Sequence, residues 1–181
     1  MIRSGCTLTL GCLLLVPLLA LAGGNTLLIP APGSCSLNTA PDDLPDALAA
    51  CQQAAQSGDL QAQFELGEFF YDGKHTARDL EQALHWFESA SLQGHAQAQY
   101  RLGMMFSRGE GVPANNVQAY IVLKMAAVNG SDEAMDSADM VSAQMSRDEQ
   151  EIATQVLGQI FRNYLMELQA ADGLSPFMPQ P

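Results

Sequence analysis

Positive charge is what this sequence has least of. Only 8 of 181 residues are Lys or Arg, against 20 Asp or Glu, a net charge of −12. A nucleic-acid surface needs clustered Lys and Arg to displace counterions from phosphates, so nucleic acid is excluded as a partner. Cysteine is scarce too: of the 4 present, two fall in the first twelve residues, leaving Cys35 and Cys51. Two thiols with no third ligand beside them make a zinc site untenable. There is no G-x-S-x-G elbow and no glycine-rich phosphate loop, because the glycines fall at helix ends. No nucleophile–base arrangement is visible and no cofactor is expected. Hydrophobic residues nevertheless make up 48% of the chain, an ordinary fraction for a folded protein and too high for disorder.

The first 22 residues read as a targeting segment. Arg3 is the only charge before Asp42, and an apolar stretch from Cys6 to Ala22 follows it. Pro17 interrupts this stretch, and Ala20-Leu21-Ala22 supplies an A-x-A cleavage site ahead of Gly23. The alternative is an uncleaved membrane anchor, since about 17–18 apolar residues nearly span a bilayer. Cleavage removes Arg3 and takes the net charge from −12 to −13. In an oxidising compartment Cys35 and Cys51 most simply pair, tying an extended leader over 23–43 to the first helix.

The remainder is organised by a repeat of 36 residues. Gly58, Gly94 and Gly130 lie on one register, and Gln61-Ala62-Gln63-Phe64-Glu65-Leu66-Gly67 aligns with Gln97-Ala98-Gln99-Tyr100-Arg101-Leu102-Gly103. Phe70 matches Phe106, Gly73 matches Gly109, and Asp79 matches Asn115. Self-similarity at this period signals a stack of supersecondary units. Each unit reads as a helix pair. The first helix runs over about 60–71, with Ala62, Leu66 and Phe70 on one face, and stops at Gly73. Asp79 caps a second helix over about 80–93, with Ala83, Trp86, Phe87 and Ala90 as its stripe and Gly94 as its end. The second unit repeats the plan with Ala98, Leu102, Phe106, Gly109, Asn115, Ala119, Leu123, Ala126 and Gly130.

Ala62, Ala90, Ala98 and Ala126 permit close helix approach. Gly67 and Gly103 sit inside helices, where each costs about 1 kcal/mol against Ala, so their recurrence marks crossings too tight for a Cβ. Leu44–Gln56 reads as a second helix lacking its first, with Ala47, Cys51 and Ala54 inward. After Gly130 the pattern decays, although Ala134 and Ala138 keep register. Ser146-Arg147-Asp148-Glu149 forms a capping box before a long helix to about Gln169, with Ile152, Val156, Ile160 and Leu165 available for its inner face. The expected architecture is all-α: a short α-solenoid of antiparallel helix pairs with capping helices at both ends. It divides into repeats over 59–94 and 95–130, a degenerate unit over 131–169, and a loose tail over 170–181.

The pattern A-x-x-x-L-G-x-x-[FY], G, D-x-x-x-A-x-x-W, A, G resembles the Sel-one-like repeat, a relative of the tetratricopeptide repeat. Unit one matches at Ala62, Leu66, Gly67, Phe70, Gly73, Asp79, Ala83, Trp86, Ala90 and Gly94. Unit two matches at Ala98, Leu102, Gly103, Phe106, Gly109, Asn115, Ala119, Ala126 and Gly130. The chain departs from the pattern at Val122, where an aromatic is usual, and at His75-Thr76, where Gly-Val is usual. The resemblance covers about residues 44–145. It implies an α-solenoid acting as a scaffold or adaptor for protein complexes, often exported in bacteria, and it carries over no catalytic residue.

Remaining side chains fit this frame. His75, His85 and His95 are ten apart, about 15 Å along a helix and too far for one metal, so surface positions are expected. Met104, Met105, Met125, Met135, Met140 and Met145 read as core filling; the last three are five apart and do not stack on one face for copper(I). The acidic Asp132, Glu133, Asp136 and Asp139 lack calcium-loop spacing. The concave side of a solenoid is the usual binding surface. Glu65, Phe69 and Asp72 in unit one, and Arg101, Met105 and Arg108 in unit two, are placed there as an exposed strip. Arg78, Arg101 and Arg108 then suggest an acidic patch on the partner. These readings define an exported, periplasmic module that binds another protein or peptide and has no membrane span once its leader is cleaved. Two alternatives stand beside it: a cell-wall or drug hydrolase on a repeat scaffold, and an accessory subunit anchored by an uncleaved leader.

Overall fold

The computed structural model describes residues 35–37 and 39–171; the targeting segment, most of the extended leader and the tail from residue 172 lie outside the described residues. Among the described residues there are seven helices and no strand: α1 (Leu44–Gln56), α2 (Leu60–Asp72), α3 (Leu80–Leu92), α4 (Ala96–Arg108), α5 (Asn116–Val128), α6 (Asp132–Ser142) and α7 (Arg147–Ala171). Consecutive helices from α1 to α6 pack against one another in sequence order.

Local chemistry at the helix ends explains their positions. Asp59 accepts a bond from the Ala62 N–H at 2.7 Å, Asp79 from Gln82 at 3.0 Å, and Asn115 from Gln118 at 3.0 Å. Each satisfies a donor that the first helical turn leaves unpaired. Gly73 and Gly109 terminate α2 and α4 with φ of 63° and 70°, a left-handed backbone that suits a residue without a Cβ. The capping box before α7 forms as written in the sequence: Glu149 accepts from the Ser146 N–H at 2.8 Å, and the Glu149 N–H donates back to Ser146 Oγ at 3.3 Å.

The helices of each sequence unit pack closely on one another, while the buried cores straddle neighbouring units. Three cores form, and each joins the second helix of one unit to the first helix of the next. The first holds Cys51 and Ala55 of α1 against Ala62, Leu66 and Phe69 of α2. The second holds Phe87 and Ala90 of α3 against Ala98, Leu102 and Met105 of α4. The third holds Leu123 and Ala126 of α5 against Ala134, Ala138 and Val141 of α6. Successive cores are copies at one period, with smaller residues in the last. The decaying unit therefore retains a true first helix, α6, in register with α2 and α4.

Gly67 and Gly103 close the other seam, between the two helices of one unit. A Cβ at Gly67 would overlap the Phe87 ring, and one at Gly103 would lie 2.7 Å from Leu123 Cγ. Phe87 and Leu123 are fully buried, so each glycine opens the slot in which a core side chain of the partner helix lies. Cys35 and Cys51 are joined by a disulfide, and Leu37 beside it is buried in the first core.

Helix α7 departs from the expected plan. It packs against α5 rather than pairing along α6, and it continues to Ala171, through the first two residues assigned to the tail. Its inward residues are Ala153 and Leu157, at 0% and 8% exposure, whereas Ile152, Val156 and Leu165 are exposed. Ile160 is half-buried. Helix α7 enters the last core through Ala153, and the face that carries Ala153 and Leu157 is the buried one.

Candidate functional site

The strip expected on the first helices is not a free surface. Phe69 and Met105 are 7% and 1% exposed and belong to the first two cores. Each follows the inward Leu66 or Leu102 by three residues, one helical turn on the same flank. A first helix wedged between its own second helix and the preceding one buries both flanks, so these residues face the preceding unit. Glu65 is half-buried, and Asp72 and Arg108 are exposed. The cations are also committed within the chain. Arg101 of α4 donates from Nη2 to Glu68 of α2 at 2.9 Å. Arg78 pairs with Glu110 at 3.2 Å and lies over the Tyr71 ring, 4.8 Å from its centre. Tyr71 in turn donates to Glu110 at 2.8 Å. Burial raises the Glu68 carboxyl above its ordinary range although Arg101 opposes the shift. Burial, and then the bond to Glu110, raise the Tyr71 phenol. This network joins the two full repeats and pairs Arg78 and Arg101 with carboxylates of the chain itself.

Two residues in the aligned segment have a role that periodicity did not reveal. Gln63 and Gln99 are buried, at 6% and 1% exposure. Gln63 donates to the Ala55 carbonyl and Gln99 to the Ser91 carbonyl, both at 3.0 Å, satisfying the end of the preceding helix. Each accepts a bond at 2.8 Å from the next turn, Gln63 from Gln93 and Gln99 from Asn129. Their matching polarity at a position flanked by core residues was the available signal.

His95 is likewise more than a surface residue. Its Nδ1 accepts the Ala98 N–H at 3.1 Å and so caps α4, its Nε2 lies 3.3 Å from Gln61 Oε1, and its ring stacks on Phe64. Burial lowers its pKa from 6.5. His75 and His85 are exposed. Of the methionines, Met105 and Met145 are buried, whereas Met135 and Met140 are 45% and 59% exposed and do not fill core. Among the described residues no group of three His, Cys, Asp or Glu side chains is placed to hold a metal.

A concave feature lies elsewhere, on the side of the second helices. A groove of about 760 Å³ runs between α3 and α5 on one side and the C-terminal half of α7 on the other. Leu92 and Val128 stand at the ends of α3 and α5, and Phe161 and Tyr164 face them from α7. Leu92 is 89% exposed, Val128 65% and Tyr164 56%. The groove exists because α7 leaves α6: its inward face, begun at Ala153 and Leu157, continues through Ile160 to Tyr164 at helical spacing, past the point where α5 covers it. Sequence reasoning missed this site because it depends on the direction of α7, which no repeat period encodes.

Stacked helix pairs with an open apolar groove define a helical-repeat protein of the scaffold class. The Sel1 repeat matches residues 60–95 and 96–131, so the chain carries two Sel1 repeats. It is similar to a Sel1 repeat protein from Oxalobacter formigenes, with 27% identity over 54% of this chain and 40% of that one and a TM-score of 0.52. It is also similar to a protective antigen present in uropathogenic Escherichia coli strains displaying an SLR fold, with 25% identity over 80% of this chain and 31% of that one and a TM-score of 0.65. The chain thus spans less than half the length of either protein. No curated protein matches it. Among the described residues no helix is long and apolar enough to cross a membrane.

Proposed function

We propose that this chain is an exported protein-binding module of the bacterial periplasm, and that the groove under α7 is its binding surface. The observation that carries this reading is the concentration of exposed apolar side chains on facing walls, Leu92 and Val128 against Phe161 and Tyr164. Contiguous exposed apolar surface of this kind is a feature of interaction sites. The first 22 residues support export, as does the Cys35–Cys51 bridge, because disulfides persist outside the reducing cytosol.

The test is site-specific photo-cross-linking in living cells. A photoreactive residue replaces Leu92 or Val128 in the groove, or Glu81 on an exposed part of α3 as the control. One cross-linked partner, captured from both groove positions in the periplasmic fraction and not from Glu81, is the expected result. The same products from all three positions would defeat the groove as the binding surface. Recovery of the chain in the membrane fraction would instead favour the anchored accessory subunit.

A further inference from the structure

Resting on the binding-module reading, the geometry points to one class of occupant: an amphipathic helix of another protein whose polar face is cationic. The walls themselves favour a helix. Val122, Met125 and Val128 on α5 are three apart, Phe161 and Tyr164 on α7 are three apart, and Glu88 and Leu92 on α3 are four apart. These are the spacings at which helices interdigitate. An extended peptide would need partners for its backbone N–H and C=O groups, and among the described residues there is no strand edge to supply them. The walls offer mainly side-chain carbon, and the Gln99 side-chain oxygen already accepts the Asn129 amide. A helix brings its backbone bonds with it.

Charge selects the sign of the partner. Among the described residues Glu88 is the only ionisable carboxylate or cation lining the groove. The last turns of α3 and α5, which form one end of it, carry no basic residue to offset their carbonyl ends. The chain as a whole carries 20 acidic residues against 8 basic ones. An acidic helix would approach a chain of like net charge, and a second copy would bring its own −12. A helix with Lys or Arg flanking a leucine-type stripe would place its apolar face against Leu92, Val128, Phe161 and Tyr164 and one cation beside Glu88.

The experiment uses the full chain and three fluorescent peptides: a helical Leu/Lys amphipath, its Leu/Glu counterpart, and a scrambled Leu/Lys peptide of identical composition without a stripe. Binding is read by fluorescence anisotropy. The Leu/Lys amphipath is expected to bind, and Leu92→Asp/Val128→Asp should weaken it roughly tenfold or more, as loss of central apolar anchors does. Glu88→Lys should weaken it about twofold to fivefold, the range of an exposed ion pair, and should improve the Leu/Glu peptide. Both substituted apolar residues are exposed, and circular dichroism checks that the variants fold.

Equal binding of both amphipaths, lost in the double variant, would overturn the cationic assignment and leave the binding-module reading intact. Scrambled peptide binding as well as the amphipath would overturn the groove, leaving only net charge. Absence of peptide binding would overturn the proposal, and a self-associating chain whose dimer is lost in Leu92→Asp/Val128→Asp would give the groove to a second copy.

Discussion

The three glycines inside helices provide a quantitative test of how the repeats close. Replacing Gly by Ala in a helix interior gains about 1 kcal/mol from propensity alone. At Gly158 of α7 the new methyl would meet only the end of Arg162, at 3.5 Å, an ordinary contact. Gly158→Ala should therefore stabilise the protein by about 0.5–1 kcal/mol. At Gly67 the Cβ would fall 3.0 Å from Phe87 Cγ and closer to two further ring carbons, and Phe87 is fully enclosed. Overpacking of this kind costs about 1–3 kcal/mol, so the net effect of Gly67→Ala is a loss of up to about 2 kcal/mol once the propensity gain is subtracted. Gly103→Ala should lie between, since the new methyl would meet Leu123 Cγ at 2.7 Å and the Ala119 carbonyl oxygen at 3.3 Å. Urea melts followed at the helix band measure all three. Phe87→Leu supplies the cycle: its cost should be smaller in the Gly67→Ala background than in the parent, because the ring causes the clash. Equal stabilisation by Ala at all three positions would refute the claim that these glycines make room for the facing helix.

Three further outcomes are expected. Cys51→Ala should lower stability by about 3 kcal/mol under oxidising conditions, the chain-entropy value for a loop of this size, and a reductant should erase most of the difference; the bridge spans 16 residues. Gln99→Leu should cost about 0.5–1.5 kcal/mol by removing the bonds to the Ser91 carbonyl, which keeps the Gly94 N–H, and from the Asn129 amide, measurable by the same melts. His95 has a folded pKa below its unfolded value of 6.5. Its contribution is therefore complete above that pH and is lost as pH falls below it, because the unfolded chain takes the proton first. Thermal melts at falling pH should show a steeper loss in the parent than in His95→Asn, which caps α4 without titrating.

The sequence displayed its architecture where one residue type had one physical purpose. Asp79, Asn115, Gly73 and Gly109 mark helix ends by local rules that need no tertiary knowledge, and α1 follows from a second-helix pattern without its first. Phe69 and Met105 were misplaced because a single stripe was assigned to helices that are covered on two flanks. Gln63 and Gln99 were passed over because polarity suggests solvent unless a neighbouring carbonyl is known to be waiting. The groove was illegible for a different reason. It depends on α7 turning away from α6 and entering the last core at Ala153, an outcome of competing apolar faces on one long helix. Ile152, Val156 and Leu165 form the more hydrophobic face, and packing geometry favoured the other.

Because each core straddles two sequence units, chain length is quantised. Removing residues 60–95 would bring Asp59 directly before Ala96, where it would take the place of His95 as the cap of α4. Cys51 and Ala55 would then meet Ala98, Leu102 and Met105 in place of Ala62, Leu66 and Phe69, and Gln99 would inherit the Ala55 carbonyl from Gln63. Every severed half-core finds an equivalent half. A deletion of any other length would set large residues against large ones or leave a cap without its helix. Loss or gain of a whole period would therefore keep the core pairing intact between the disulfide-tied start and the diverging α7.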